Sequence, residues 1–303
     1  MNAAVPGPAR QSDLTVLILA GGLGTRFGRG AKPLAAVGPH GESPLDATLA
    51  SAAAAGYARA VVVLRSDLEP AVRGHVERMA STTGGRSFPI EWVRQDEDAE
   101  SVAATAAGRT RPLGTAHAVL SAADELTGPF AIANADDVYG DEPLRLLGRQ
   151  LTGAGGHALV GFRVARTLLS ARPVSRALCV AAPDGRLLAV HEGTVTTAPD
   201  QTLTWTGDDP GRRQPLTGDE LVSMNLWGFQ PSVLPRLRDA LDDFRSAGLV
   251  PTDAELALPS VVDHMLQDPH AESIVLLPTE SRCLGVTYAE DVALLRAALA
   301  AEA

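Results

Sequence analysis

The chain has 303 residues, enough for one large domain or two small ones with a sizeable core. Its 26 basic residues against 36 acidic ones leave a formal charge of −10, which argues against a general binder of nucleic acid or of an anionic membrane, since both need excess positive charge. Charged residues at 20% and hydrophobic residues at 45% exclude wholesale disorder. Lysine occurs once, at Lys32, and every other basic residue is arginine.

Residues 1–13 are polar, contain Pro and Gly, lack the apolar stretch of a signal peptide, and are expected to form a loose tail. Leu14–Ala20 (LTVLILA) reads as a buried strand, followed by the glycine-rich loop Gly21–Gly30. Helical spacing over Leu45–Ala55, a strand at Ala60–Arg65 and a helix near Leu68–Ala80 come next. A strand at Ile90–Arg94, a helix at Thr115–Glu125 and a strand at Phe130–Asn134 complete the first half. Strand and helix in alternation predict a parallel sheet in an α/β layered fold.

His157–Val164 reads as a further strand, and Ala177–Ala182 with Arg186–Val190 as a hairpin closed by Pro183-Asp184-Gly185. Thr194–Glu220 is polar and without clear periodicity, which predicts a surface insertion. Leu221–Phe229 reads as a strand, with helices at Ser232–Ser246, Asp253–Gln267 and Ala289–Ala300. No domain linker interrupts 14–303, so one domain is expected, with an insertion around 157–222. The carboxyl-terminal helices offer a surface for a homo-oligomer. Cys179 and Cys283 lie outside any metal-binding or disulfide spacing, no run is long enough to span a membrane, and a cytoplasmic protein is expected.

The first strand runs into Leu19-Ala20-Gly21-Gly22-Leu23-Gly24-Thr25-Arg26-Phe27-Gly28, then Lys32-Pro33-Leu34. Glycines at a strand end let backbone N–H groups approach a phosphate or a base without side chains in the way, and the arginine and lysine beyond supply charge for phosphate oxygens. A dinucleotide-binding loop is the rival. It would need an acidic residue about 20 residues on, at the end of the second strand, and a helix that the Lys32-Pro33 pair would interrupt.

The segment LAGGLGTRFG…KPL resembles the signature of the sugar-1-phosphate nucleotidyltransferases. Arg111-Pro112-Leu113-Gly114-Thr115-Ala116-His117-Ala118-Val119 resembles the P-L-G-x-x-H-A-V segment of the branch that joins UTP to glucose 1-phosphate. Ala133-Asn134-Ala135-Asp136-Asp137, Ser223-Met224-Asn225-Leu226-Trp227-Gly228-Phe229 and Gly285-Val286-Thr287-Tyr288-Ala289-Glu290-Asp291 resemble further family motifs, in family order. The resemblance implies a three-layer, Rossmann-like nucleotidyltransferase fold (GT-A-like) with a mainly parallel central sheet and a β-hairpin insertion. It also implies Mg²⁺-dependent transfer of a nucleotidyl group from an NTP, with UTP favoured, to a sugar-1-phosphate, releasing pyrophosphate.

Under that resemblance Arg26 grips the triphosphate and Lys32 sits by the α-phosphate. Leu19, Ala20, Gly21, Gly22, Gly24, Thr25, Arg26, Gln95, Gly114 and Thr115 form the nucleotide site. Asp136 is the metal ligand and Asp137 its stand-by, in reach of substrate. Carboxylates at the end of a parallel strand face the ligand crevice of an open α/β sheet, and their hard oxygens suit Mg²⁺. Glu192 and Asn225 contact the sugar. His117 is expected to pack at a helix start, and Trp227 and Phe229 to lie in the core. Two departures stand out. The family's second acidic ligand aligns on Gly285, and its sugar-phosphate lysine aligns on Gly193, so Arg163 or an arginine of the 212–213 pair would have to supply that charge.

Other readings keep part of the pattern. A non-sugar acceptor such as phosphocholine with CTP preserves the chemistry, whereas a nucleotide-binding pseudoenzyme preserves only the pocket. A glycosyltransferase should show Asp-x-Asp where Asp136-Asp137 are adjacent.

Overall fold

The computed structural model describes residues 14–22, 34–83, 88–153, 155–208, 211–248, 250 and 254–301. The first half contains β1 (Thr15–Leu19), α1 (Pro44–Ala54), β2 (Arg59–Leu64), α2 (Glu69–Thr83), β3 (Ile90–Arg94), α3 (Ala99–Ala106), α4 (Thr115–Ser121) and β4 (Phe130–Asn134). Then come β5 (Asp137–Val138), α5 (Asp141–Thr152), β6 (His157–Arg163), β7 (Val174–Ser175), β8 (Ala177–Ala181), β9 (Leu187–His191), β10 (Gly193–Thr197), β11 (Leu203–Gly207) and β12 (Arg213–Leu216). The chain closes with β13 (Leu221–Phe229), α6 (Val233–Ser246), α7 (Leu258–Met265), β14 (Ile274–Thr279), β15 (Leu284–Gly285) and α8 (Asp291–Ala300).

The central sheet runs β14-β6-β13-β4-β1-β2-β3. All neighbouring pairs are parallel except the two made by β13. Side chains of a strand alternate between faces, and here the alternation divides the core in two. Leu17, Val61, Val63, Ile132, Leu159, Trp227 and Phe229 join the core under α4, α6 and α7. Val16, Ile18, Ala60, Val62, Ala131, Ala133, Val160 and Phe162 join the core under α1 and α5. Each fully buried aliphatic side chain contributes about 1.5–3 kcal/mol, so the middle strands form the fixed frame on which the site is built. The expected three-layer α/β fold with a mainly parallel sheet is borne out.

Polar side chains fix the helix starts. Ser43 caps α1 in a reciprocal box with Asp46, and His75 Nε2 of α2 reaches Asp46 Oδ2 at 2.5 Å, tying the two helices together. The Asp-Gly turn closes the β8–β9 hairpin as expected, with Gly185 at φ 85° and Ala182 N–H donating to Arg186 O.

Elsewhere the structure departs from the sequence reading. Residues 193–197, 203–207 and 213–216 are not irregular. They form β10, β11 and β12, which with β7 make a four-stranded sheet over its own small core of Val164, Leu178, Val195, Trp205, Leu216 and Val222. Further elements also lie outside the sequence reading, among them α3, α5, whose Leu144, Leu147 and Leu151 pack on the sheet, and β14, parallel to β6. The helix expected at Asp253–Gln267 is described only as Leu258–Met265, with Pro259 in its first turn.

Candidate functional site

The sheet splits at its carboxyl edge. Trp227–Phe229 of β13 pair with β4, whereas Val222 and Ser223 pair with β8. Between these two pairings β13 is bulged against β6, and Asn225 adopts the left-handed backbone at φ 61°. β4 meanwhile ends at Asn134 and turns into Ala135–Asp137, so the acidic pair follows the carboxyl end of β4. Asparagine tolerates this backbone better than most residues, yet outside glycine it costs on the order of 1 kcal/mol, and such strain collects at functional sites.

Leu19, Ala20, Gly21 and Gly22 sit at the carboxyl end of β1. There Ala20 N–H donates to Val63 O at 2.7 Å and Ala135 N–H donates to Leu19 O at 3.1 Å. Gln95 follows β3 and is buried, and its Nε2 lies 3.4 Å from Gly21 O. Glycine at 21 has a steric reason, because an added Cβ would stand 2.1 Å from Gln95 Nε2. Gly24, Thr25, Arg26 and Lys32 lie outside the described residues.

Gly114 and Thr115 open α4. The segment at Leu256 crosses their backbone: Leu256 N–H donates to Leu113 O at 2.7 Å and Ala116 N–H donates to Leu256 O at 3.0 Å. Thr115 Oγ1 accepts from Leu258 N–H at 2.8 Å. A Cβ on Gly114 would lie 2.5 Å from Leu256 O, so this glycine makes room for the chain itself. His117 is buried in α4 with its Nε2 3.1 Å from Asp98 Oδ2. Burial alone would raise the Asp98 pKa, but hydrogen bonds from His117 and Ser101 hold it below the usual carboxylate value.

Asp137 is buried, and its Oδ2 accepts from Asn134 Nδ2 at 2.9 Å. Asn134 Oδ1 in turn accepts from Asn225 Nδ2 at 2.8 Å, and Asn225 Oδ1 accepts from Trp227 Nε1 at 2.8 Å. Tyr139 OH donates to Met224 O at 2.8 Å and accepts from Asn134 N–H at 2.9 Å. Burial, then the charge of Asp137, pushes the tyrosine pKa far up, so this hydroxyl stays protonated. Trp227 and Phe229 stack in the core at 5.8 Å.

Glu192 lies between β9 and β10. Burial, and then repulsion from Asp208, raises its pKa above the ordinary glutamate value. A side chain at 193 is excluded, because a Cβ there would meet the Trp205 ring and Thr206 O at 2.5 Å. Arg163 is committed to Glu280, at 2.7 Å, and to Asp219, at 3.3 Å. Arg212 Nη2 lies 3.2 Å from His191 Nε2. The cation that sequence reasoning missed is Arg176. Burial holds its pKa below the usual arginine value against the opposing pull of the Asp137 and Asp136 carboxylates, and Thr167 and Ser175 hold its guanidinium. Its signal in the sequence is faint, since it is one arginine among many in a β-rich stretch.

Among the described residues no group of three or more His, Cys, Asp or Glu side chains could hold a metal ion. The site therefore offers two carboxylates, Asp136 and Asp137. That donor set fits Mg²⁺, which is commonly held by one or two carboxylates with substrate phosphates completing the shell. No described helix is long and apolar enough to cross a membrane.

Residues 16–136 match the MobA-like NTP transferase domain. No curated protein matches the sequence at a significant level. Among solved structures, the chain is similar in fold to a UDP-glucose pyrophosphorylase complexed with UDP-glucose. The match has a TM-score of 0.61 and 14% identity, and it covers 95% of this chain and 99% of that one. The match over residues 16–136 agrees with the nucleotidyltransferase motifs read from that part of the sequence, and the structural likeness shows the fold.

Proposed function

We propose that the protein transfers a nucleotidyl group from an NTP, UTP in the favoured case, to a sugar-1-phosphate with the help of Mg²⁺. The observation that carries this reading is that Gly21, Gln95 and Asp136–Asp137 all follow the carboxyl ends of the parallel strands β1, β3 and β4, within or next to residues 16–136. A phosphate oxygen of the acceptor attacks the α-phosphorus in line. The bond from that phosphorus to the bridging oxygen breaks, and pyrophosphate leaves with the electron pair. The attacking phosphate is already ionised, so no general base is required. Both reactants are polyanions, which leaves alignment and charge neutralisation as the work of the site.

Gln95 offers a donor and an acceptor to a base edge, while the Gly21–Gly22 backbone lets the nucleotide lie close against β1. Arg26 and Lys32 are assigned to the triphosphate, the lysine as a compact charge at the α-phosphate. Glu192 and Asn225 are assigned to acceptor hydroxyls across the gap. Asp136 and Asp137 would hold Mg²⁺, which when bound neutralises phosphate charge.

A pyrophosphate-release screen tests the reading. Nucleoside triphosphates are paired with a panel of sugar-1-phosphates and with phosphocholine, in the presence of Mg²⁺. Turnover with UTP and a hexose-1-phosphate is expected. Turnover confined to CTP with phosphocholine would reassign the acceptor, and nucleotide binding without release on any pair would refute the enzyme reading.

A further inference from the structure

The turn after β3 carries Gln95, and its backbone is held from several sides. Gln95 N–H donates to Leu64 O of β2 at 2.9 Å, and Ser101 Oγ donates to Gln95 O at 2.6 Å. The next residue, Asp96, accepts from Ser66 N–H at 2.8 Å and from Ser66 Oγ at 2.6 Å. Asp98 then caps α3, its Oδ1 accepting from Ser101 N–H at 2.7 Å. Ser101 thus joins the two, its amide on Asp98 and its hydroxyl on Gln95.

The other Asp98 oxygen is taken by α4, where His117 Nε2 lies 3.1 Å from Oδ2. His117 is only 2% exposed and sits in the first turn of that helix, beside Gly114 and Thr115. An apolar side chain would fill such a place without a partner. A buried imidazole needs one, and the partner it has ties α4 to the turn after β3. The contacts from His117 through Asp98 and Ser101 to Gln95 therefore connect the two segments expected to meet the nucleotide, Gln95 on one side and Gly114-Thr115 on the other. The Gln95 amide is weakly held at its own end, with Nε2 3.4 Å from Gly21 O, so its direction depends on the backbone behind it.

We propose that His117, Asp98 and Ser101 are positioning residues for base recognition, which set Gln95 relative to the start of α4 and so determine how sharply the site discriminates between bases. The inference rests on the nucleotide-binding reading given above and goes beyond it, since the three residues act through Gln95 and not on the nucleotide itself. An amide discriminates between base edges only while its donor and acceptor stay in register with them.

Calorimetric titration of the full chain with ATP, CTP, GTP and UTP in turn, each with Mg²⁺, gives a Kd for each base. Triphosphate contacts are common to all four, so general damage weakens them alike, whereas a displaced Gln95 flattens the ratio between the best base and its runner-up. His117→Leu fills the helix position without engaging Asp98, and Ser101→Ala removes the hydroxyl from Gln95 O. Each should cut that ratio at least about fivefold. His117→Gln returns a donor toward Asp98 and should keep the ratio within about twofold of wild type. Gln95→Ala should lose the preference altogether. Wild-type ratios in His117→Leu and Ser101→Ala, with the preference lost in Gln95→Ala, would overturn the inference and leave the nucleotide reading standing. An unchanged ratio in Gln95→Ala, or equal affinity of the wild type for all four, would also overturn it. Absence of NTP binding in the wild type would overturn both. Thermal melts accompany each variant, and if His117→Leu does not fold the Ser101→Ala titration decides alone.

Discussion

Gly21→Ala measures how closely the nucleotide loop and the base-side glutamine are fitted. The new methyl would stand 2.1 Å from Gln95 Nε2 and 2.6 Å from its Cδ. Ordinary contact needs about 3.5 Å, so the amide must retreat by more than about 1 Å. Gln95 is only 5% exposed, and that retreat runs into packed surroundings. Overpacking of this kind costs about 1–3 kcal/mol. Removing the obstructing amide should remove the cost: in a Gln95→Ala background, Gly21→Ala should lose less than about 0.5 kcal/mol, a coupling of about 1–2 kcal/mol. Urea denaturation of the wild type, both single variants and the double variant measures the cycle. KM for the NTP, followed alongside, should rise in Gly21→Ala, because about 1 Å of misplacement at a positioned group can cost up to about 100-fold. Equal stability losses in the two backgrounds would refute the fit, and unchanged nucleotide kinetics in both single variants would remove Gln95 from the site.

Arg109 is buried and donates to the carbonyls of Arg111, Pro112, Val250 and Ala254, so it clasps the loop before α4 to the segment before α7. Arg109→Met should lose about 3–4 kcal/mol in urea denaturation, and Arg109→Lys should recover little, because an ammonium cannot reach the same spread of acceptors. His157 is buried and its pKa is lowered, first by burial; its Nδ1 accepts from Gln230 N–H. It binds a proton less readily folded than unfolded, so stability is fully present above about pH 6.5 and falls as the pH drops below that value; His157→Asn should flatten this slope in pH-dependent melts. Glu192 has a raised pKa, so the acid limb of kcat/KM for the acceptor should lie above the ordinary glutamate value of about 4.3, and Glu192→Gln should abolish that limb. Lys32→Arg should lower kcat at least about tenfold, a loss of about 1.4 kcal/mol in transition-state binding, and near wild-type turnover would remove Lys32 from the catalytic group.

The parallel half of the sheet was legible because buried strands write themselves as apolar runs, as in LTVLILA and AVVVLR. The insertion sheet was hidden by its chemistry. β10 and β11 alternate threonine with Val195 and Trp205, so one face is apolar and the other polar, and the segment's composition resembles a loop. In α5, the stripe Leu144, Leu147 and Leu151 has helical spacing, but Gly140 and Pro143 at its start read as turn residues. The site divides in the same way. Gly21, Gln95, Asp136 and Asn225 follow from motifs whose residues are near in sequence or stand at strand ends. The close fit of Asp137 against Gly285, where an added Cβ would stand 2.0 Å from Oδ1, joins residues far apart in the chain and exists only once β5 pairs with β15. No local pattern encodes it.

If the protein joins two polyanions as proposed, its net charge of −10 leaves open how they are neutralised, and the described cations bear on the answer. Arg163 faces Glu280 and Asp219, and Arg212 faces His191. Arg176 gives its Nε to Thr167 Oγ1, one terminal nitrogen to Ser175 O and the other to Thr167 O. A guanidinium spent in this way is fixed in place, and as a countercharge in the field of Asp137 and Asp136 it offsets part of the cost of holding two carboxylates side by side. It has little freedom left to follow a phosphate through the reaction. Under the proposed function the moving charge falls to Arg26 and Lys32, with whatever ion the acidic pair would hold. In a chain that otherwise uses arginine throughout, that is where a short, rotatable ammonium has an advantage over a planar fork.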